Sequence, residues 1–257
     1  MGFHQGWHGV WLITASFLAG ALNAVAGGGS FLSFPALLGV GVLPIQANAT
    51  NTVALWPGQV TSIAAYLGDL KSHHRLLLPV CLSALAGGLT GAIVLLHTGQ
   101  GTFMALVPWL LLFATILFAV STPVSRWLQR RTSQQHRSKG PALLPLIAGL
   151  AAVCFYIGYF GAGAGFLVMS LLGLLGIEQI NEINALKVVA TTMANGIAVV
   201  TFLVEKQVEW RYGLLMMVTA AVGGFLGARA SRRLNPRVLR TMVVLIGLGM
   251  AIYFFVK

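Results

Sequence analysis

The sequence predicts an all-α polytopic membrane protein built from two homologous halves. Of its 257 residues, 57% are hydrophobic and only 8% are charged, whereas a soluble domain carries about 25% charged residues. Apolar stretches without charge recur along the chain and are long enough to cross a bilayer. The same short motifs also occur twice, at a constant separation of 136 residues.

Eight apolar stretches are predicted to be membrane spans. They are residues 7–25, 50–67, 76–96, 103–120, 143–159, 185–204, 212–228 and 238–256. Two further apolar segments, 31–42 and 166–177, are too short to cross about 30 Å as straight helices. Each of them directly follows a glycine cluster, so the sequence predicts broken or short half-helices after both glycine-rich motifs.

The two halves repeat one another over most of their length. Asn48-Ala49 recurs as Asn184-Ala185, and Gly87-Gly88 recurs as Gly223-Gly224, each pair 136 residues apart. We therefore expect a first transmembrane repeat over residues 1–125, a basic cytoplasmic linker over 126–140 and a second transmembrane repeat over 141–257. Glycine-rich breaks at matching places in two apolar halves are typical of transporters that bind substrate between the repeats.

Most basic residues occur in clusters between the predicted spans or at their ends. The net charge is +11, from sixteen Lys and Arg against five Asp and Glu. Lys and Arg concentrate in the cytoplasmic loops of membrane proteins, so topology accounts for the excess and no nucleic-acid partner is expected. The clusters contain Lys71 and Arg75; Arg126, Arg130, Arg131, Arg137 and Lys139; and Arg229, Arg232, Arg233, Arg237 and Arg240.

These clusters distinguish two topologies. If the short segments do not cross the membrane, each half has four spans and the two largest clusters lie on opposite sides. If each short segment completes a crossing with its flanks, each half has five passes and the halves are inverted repeats. All three clusters then face the cytoplasm, so this arrangement is favoured, as a multi-pass protein of the plasma (inner) membrane.

The glycine breaks are candidate binding sites. The first contains Asn23, Gly27, Gly28, Gly29 and Ser30, and the second contains Gly163 and Gly165. Each glycine costs a helix about 1 kcal/mol relative to alanine. The helix that restarts after each break presents unpaired N–H groups and a partial positive charge, which suits an anion. Ser30 could cap its helix or donate its hydroxyl to a ligand, and the alternative role of the glycines is close helix packing.

A second group of polar residues follows each break. Asn48 and Asn51 begin a predicted span, and Asn184 repeats Asn48 in the second half. Asparagine at such a position could cap a helix, bond between helices or contact a substrate. These three side chains are therefore candidate ligands, with helix capping as the alternative.

Lys187 occupies the position in the second half that Asn51 occupies in the first. A cation at the bilayer centre costs about 3 kcal/mol, so such a side chain should face a partner or a cavity. One hypothesis makes it the positive charge of an anion site. The other lets it reach the nearby interface and pair with Glu178 or Glu182.

Enzymatic chemistry is not predicted. No Asp or Glu lies deep in a predicted span, and the glycines at 161–165 lack the strand and distal acid of a dinucleotide site. No cofactor or metal is expected. The expected partners are a small anionic substrate and the lipid bilayer, and a homodimer is compatible with the sequence.

At these residues the chain resembles the TauE/SafE family of sulfite exporters, also called the TSUP family. The resemblance rests on the first break, on Phe34-Pro35, on the run from Ala47 to Asn51, and on Gly161-x-Gly163-x-Gly165-Phe166. Ala162 and Ala164 interrupt the second glycine run, which departs from the family pattern.

The resemblance implies secondary transport of a small sulfur-containing anion, such as sulfite, sulfoacetate or thiosulfate, often outward. The alternatives are an anion channel or a membrane scaffold without transport. If the breaks bind the anion, Gly29→Leu is expected to abolish transport while leaving folded protein.

Overall fold

The computed structural model describes residues 2–25, 28–64, 74–132, 143–175, 177, 180–231 and 236–256. All regular secondary structure in these ranges is α-helical, which confirms the predicted all-α fold. The helices of the first half are α1 (Gly2–Val25), α2 (Ser30–Gly39), α3 (Pro44–Ala64), α4 (His74–His97) and α5 (Gln100–Thr132). Those of the second half are α6 (Leu143–Tyr159), α7 (Ala164–Leu174), α8 (Ile180–Val204), α9 (Trp210–Ser231) and α10 (Pro236–Val256).

Helices of the two halves begin at corresponding positions. The starts of α3, α4 and α5 lie 136 residues before those of α8, α9 and α10. The short helices α2 and α7 follow their glycine breaks as predicted, and both end three residues earlier than expected. In α2 the reason is Gly41, whose φ of +87° is left-handed and ends the helix, since left-handed glycine is a common helix terminator.

Three helical segments within the described ranges are long and apolar enough to cross a membrane. They are Leu76–His97, Gln100–Leu117 and Glu182–Val204, and each overlaps a predicted span. Shorter apolar helical segments include Leu143–Tyr159 and Val244–Val256. The side chains of the three basic clusters lie outside the part of the chain that the structure describes, as does Gly27.

Helix α5 continues beyond its apolar part. It runs to Thr132, so the first residues of the segment expected to be a linker are helical. The following residues, 133–142, lie outside the described ranges.

Glycines allow two helix pairs to pack with their backbones in contact. In the pair α1–α9, a methyl group added at Gly223 would lie 2.7 Å from the carbonyl carbon of Phe17. In the pair α4–α6, one added at Gly87 would lie 2.9 Å from the backbone nitrogen of Phe155. Gly87 and Gly223 correspond in the two halves, so the duplicated glycines of α4 and α9 have a packing role.

Helices α3 and α8 cross at residues that also correspond in the two halves. The indole Nε1 of Trp56 donates a hydrogen bond to the Thr192 carbonyl oxygen at 3.0 Å, and these residues are 136 positions apart. Asn195 Nδ2 donates to Gln59 Oε1 at 3.0 Å over the same separation. This crossing joins the halves in the core of the protein.

Aromatic rings attach the short helix α2 to the second break. The ring of Phe34 meets that of Phe160 edge to face, with centroids 5.5 Å apart. Phe103 of α5 contacts both rings, at 6.3 Å from Phe34 and 6.2 Å from Phe160. A short helix of one half therefore rests on the interrupted segment of the other.

Candidate functional site

The first break is packed closely against α1. The amide N–H of Gly28 donates to Asn23 Oδ1 at 3.3 Å. Gly29 has an ordinary helical φ of −55°, and a methyl group there would lie 2.9 Å from the carbonyl carbon of Ala19. Close packing therefore accounts for Gly29. Ser30 is the first helical residue and Gly29 is the cap, so of the two roles open to Ser30 that of helix cap is wrong.

Asn51 joins α3 to α2 within the first half. Its side chain is only 2% exposed. Its Nδ2 donates to Ser30 Oγ at 3.2 Å, and its Oδ1 accepts a hydrogen bond from Ser33 Oγ at 2.5 Å. Both ends of the amide thus have partners inside the protein, so Asn51 holds the start of α2 in place.

The second break contains two left-handed glycines. Gly161 has φ +76° and Gly163 has φ +69°, a conformation that glycine adopts without the usual steric cost. The carbonyl oxygen of Tyr156 accepts hydrogen bonds from the amides of Phe160 and Gly161, at 2.9 and 3.0 Å. The Tyr156 hydroxyl also donates to the Ala162 carbonyl oxygen at 2.9 Å. A single tyrosine of α6 therefore fixes the path of the break.

Lys187 lies beside the N-terminus of α7. A methyl group added at Gly165 would lie 3.7 Å from Lys187 Cδ, at ordinary contact distance. The Lys187 ammonium donates to Asn184 Oδ1 at 3.3 Å. The structure thus brings three predicted site residues together, with the side chain of Lys187 passing the start of α7, which carries the partial positive charge of a helix N-terminus. Both features favour a negatively charged ligand.

The alternative prediction pairs Lys187 with Glu178 or Glu182, and Glu182 lies in the first turn of the same helix, α8. Glu178 lies outside the described residues. The hydrogen bond to Asn184 gives the lysine a partner on its own helix.

Asn48 contacts the second break from the first half. It is 1% exposed, and its Nδ2 donates to the Tyr159 carbonyl oxygen at 3.2 Å. Its Oδ1 is buried and has no hydrogen-bond partner among the described residues. Asn48 and Asn184 are the fifth residues of α3 and α8, so the alternative role, capping these helices, is wrong.

Asn195 is a further polar residue at the second break, and the sequence analysis did not identify it. A methyl group added at Gly161 would lie 3.7 Å from Asn195 Oδ1. The repeat offers a signal that would have found this residue, because Asn195 is the counterpart of Gln59 in the second half.

Gly29 and Gly165 correspond in the two halves, and alanine at these two positions should have opposite effects. Gly29→Ala should lower the unfolding temperature, because its methyl group would meet the Ala19 backbone. Gly165→Ala should leave the unfolding temperature unchanged or raise it, because only Lys187 Cδ is near, and should weaken anion binding by covering the start of α7. Unfolding of both variants in detergent, with and without the anion, tests this pair.

This contrast changes the expected result for Gly29→Leu. The larger side chain would meet the α1 backbone, so loss of folded protein is now the expected outcome. Equal stability of Gly29→Ala and Gly165→Ala would contradict the assignment of Gly29 to packing.

Comparison with known proteins confirms the family resemblance. A family model described as sulfite exporter TauE/SafE matches residues 12–254. The chain is 27% identical over 250 residues to the "Probable membrane transporter protein ORF9" of a Sinorhizobium species, covering 94% of this chain and 90% of that protein. It is also 27% identical over 248 residues to the "Probable membrane transporter protein YfcA" of Escherichia coli K12, covering 93% and 87%.

A "Probable membrane transporter protein" of Haemophilus influenzae is 26% identical over 239 residues. No solved structure gives a significant match. The family model covers almost the whole chain, including both breaks and the helices that surround them. The chain belongs to the sulfite exporter TauE/SafE family of membrane transporters, and it is not an enzyme.

Proposed function

We propose that this protein exports a small sulfur-containing oxyanion or organosulfonate, such as sulfite, sulfoacetate or thiosulfate, across the plasma membrane. The observation that carries the proposal is the position of Lys187 beside the start of α7. The described contacts support a negative charge on the substrate. The sulfur atom and the outward direction are supported by the description of the family model.

The proposed anion contacts begin with the second half. Gly165 has no side chain, so a substrate oxygen can approach the first N–H groups of α7. The ammonium of Lys187 neutralises the charge of the anion and can donate up to three hydrogen bonds. Asn184 holds that ammonium in place at 3.3 Å, and Gly163 provides the left-handed turn that begins the helix.

The first half supplies the rest of the proposed cradle. Its proposed members are Asn23, Gly27, Gly28, Gly29, Ser30, Asn48 and Asn51. Asn48 lines the cradle without bonding the anion, because its Nδ2 donates to Tyr159 and its Oδ1 is an acceptor. Asn51 bonds Ser30 through its Nδ2 and Ser33 through its Oδ1, so we assign it to positioning α2. The two breaks thus have different roles: the second provides the positive charge of Lys187, and the first provides a rigid wall.

We further propose that the halves are inverted repeats that exchange conformations during alternating access. Two observations support this. Helix α1 packs on α9 while α4 packs on α6, so the first and fourth helices of each half trade partners. The α3–α8 crossing also pairs residues with their own counterparts, as expected at a two-fold axis. The proposed division remains residues 1–125, 126–140 and 141–257, with several passes through the membrane.

Ligand-dependent stability is the first test of the substrate. The unfolding temperature of the purified protein in detergent would be measured with sulfite, thiosulfate, sulfoacetate, sulfate, acetate or chloride at matched ionic strength. A bound anion at 100 times its Kd stabilises the folded state by about 2.7 kcal/mol. We expect stabilisation by one or more sulfur oxyanions and none by acetate or chloride. A flat profile would contradict the proposed substrate class.

Transport in proteoliposomes then separates a carrier from a channel. Alternating access predicts that unlabelled anion on one side accelerates uptake of labelled anion from the other. A channel would show flux without such stimulation and at a rate set by the electrochemical gradient.

A further inference from the structure

Hydrogen-bond acceptors, both backbone carbonyl groups and an amide oxygen, lie at the C-terminal end of α6. Asn48 directs its Nδ2 to the Tyr159 carbonyl oxygen at 3.2 Å, which fixes the orientation of the amide. The Oδ1 atom of the same amide is buried and has no partner among the described residues. A buried acceptor without a partner is costly, so it points to a ligand that is positively charged or carries a donor.

A second amide approaches the same three-residue stretch, 159–161. Asn195 uses its Nδ2 to bond Gln59 at 3.0 Å. A methyl group at Gly161 would lie 3.7 Å from Asn195 Oδ1 and 3.0 Å from the Ile157 carbonyl oxygen. Because Gly161 has no side chain, these two oxygen atoms face a common space beside the break. Each amide thus donates a hydrogen bond to the protein through its Nδ2, and each has its oxygen atom near the end of α6.

The C-terminal end of α6 carries a partial negative charge. A helix C-terminus carries a partial negative charge, and α6 ends at Tyr159. The five acidic residues of the chain are Asp69, Glu178, Glu182, Glu205 and Glu209, none of which belongs to α6 or the break. A neutral set of oxygen ligands beside a helix C-terminus suits a cation of low charge, since divalent cations usually recruit carboxylates.

We propose that Asn48 Oδ1, Asn195 Oδ1 and the last carbonyl groups of α6 form a binding site for Na⁺. Half-helix C-termini and unwound carbonyl groups bind Na⁺ in other transporters with broken helices. The inference rests on the proposed function only in placing this site and the anion site at one break. The cation then lies at the end of α6 and the anion at the start of α7, so each should raise the affinity for the other.

The test uses the purified full-length protein in detergent without any oxyanion. Its unfolding temperature would be compared in NaCl and choline chloride at equal chloride concentration. We expect saturating NaCl to raise the unfolding temperature by about 5 °C. Equal unfolding temperatures in NaCl and choline chloride, or an equal rise in KCl and NaCl, would overturn the proposal of a Na⁺ site.

Variants locate the effect. Asn48→Leu should abolish the NaCl-dependent rise, and Ser83→Ala should retain it, because the Ser83 hydroxyl bonds only within α4 in the described structure. Asn195→Leu serves as a second variant if Asn48→Leu does not fold. An undiminished NaCl effect in both asparagine variants would remove these residues from the site.

The anion panel separates the two proposals. Stabilisation by Na⁺ with no response to any oxyanion would support the cation site and contradict the proposed substrate. Stabilisation by an oxyanion with no difference between sodium and choline salts would do the reverse.

Discussion

Lys187→Asn should weaken binding of the stabilising oxyanion by about 10- to 150-fold, the range expected for losing one charge-assisted hydrogen bond. The substitution introduces the residue that the first half has at the corresponding position, Asn51. It removes the cation beside the start of α7 and leaves a polar side chain of smaller volume. Anion titrations followed by thermal unfolding would give the two dissociation constants.

Lys206→Asn is the matched control for Lys187→Asn. Lys206 is exposed after α8 and has a left-handed φ of 53°, which asparagine tolerates well. The control makes the same chemical change and removes the same charge from a place that contacts neither break. We expect its anion affinity to stay within about twofold of the unmodified protein, since exposed charges contribute little. An equal loss of affinity in both variants would exclude Lys187 from the site.

Alanine at Gly87 or at Gly223, where two helices pack with their backbones in contact, should strongly reduce the amount of folded protein. Gly223→Ala directs a methyl group at the Phe17 carbonyl of α1, and Gly87→Ala directs one at the Ala151 carbonyl of α6. Since the opposing atoms are backbone, the helices must move apart, and we expect each substitution to cost about 3 kcal/mol. The unfolding temperature and the fraction that stays monodisperse in size-exclusion chromatography after heating would measure this loss.

Gly249→Ala is the control for Gly87→Ala and Gly223→Ala. A methyl group at Gly249 would have no atom within 4 Å, so alanine should be neutral or stabilise α10 by up to about 1 kcal/mol. Because Gly87 and Gly223 correspond, their variants should lose similar amounts of stability. If Gly87→Ala or Gly223→Ala were as stable as Gly249→Ala, the backbones of α4 and α6, or of α1 and α9, would not be in the close contact described above.

The course of the helices was predictable from local chemistry. Contiguous glycines interrupt helices wherever they occur, so α2 and α7 follow the breaks as the sequence indicates. Their ends were less predictable. The left-handed turn at Gly41 closes α2 before the apolar run is complete, and a hydrophobicity pattern contains no information about such a turn.

The roles of individual site residues were harder to predict. Gly29 and Gly165 look equivalent in the sequence, yet the first faces the backbone of Ala19 and the second faces a flexible lysine. Asn51 and Lys187 also occupy equivalent positions, yet Asn51 accepts a hydrogen bond from Ser33 of its own half. Such differences depend on contacts between distant parts of the chain, which one sequence without its relatives does not reveal.

The contact made by the indole of Trp56 shows that the two halves differ in side-chain size where they cross. The indole bonds the backbone of Thr192 and lies 3.2 Å from the place of a methyl group at Gly196. In a pair of identical chains with the proposed two-fold axis, residue 56 of each chain would meet residue 60 of the other chain, so both sides would carry the same large and small residues. With both halves in one chain, a large residue on one side can pair with a small one on the other, as Trp56 does with Gly196. Under the proposed function the same freedom would permit one lysine at position 187 with asparagine at its counterpart, Asn51, so that a single positive charge serves the anion.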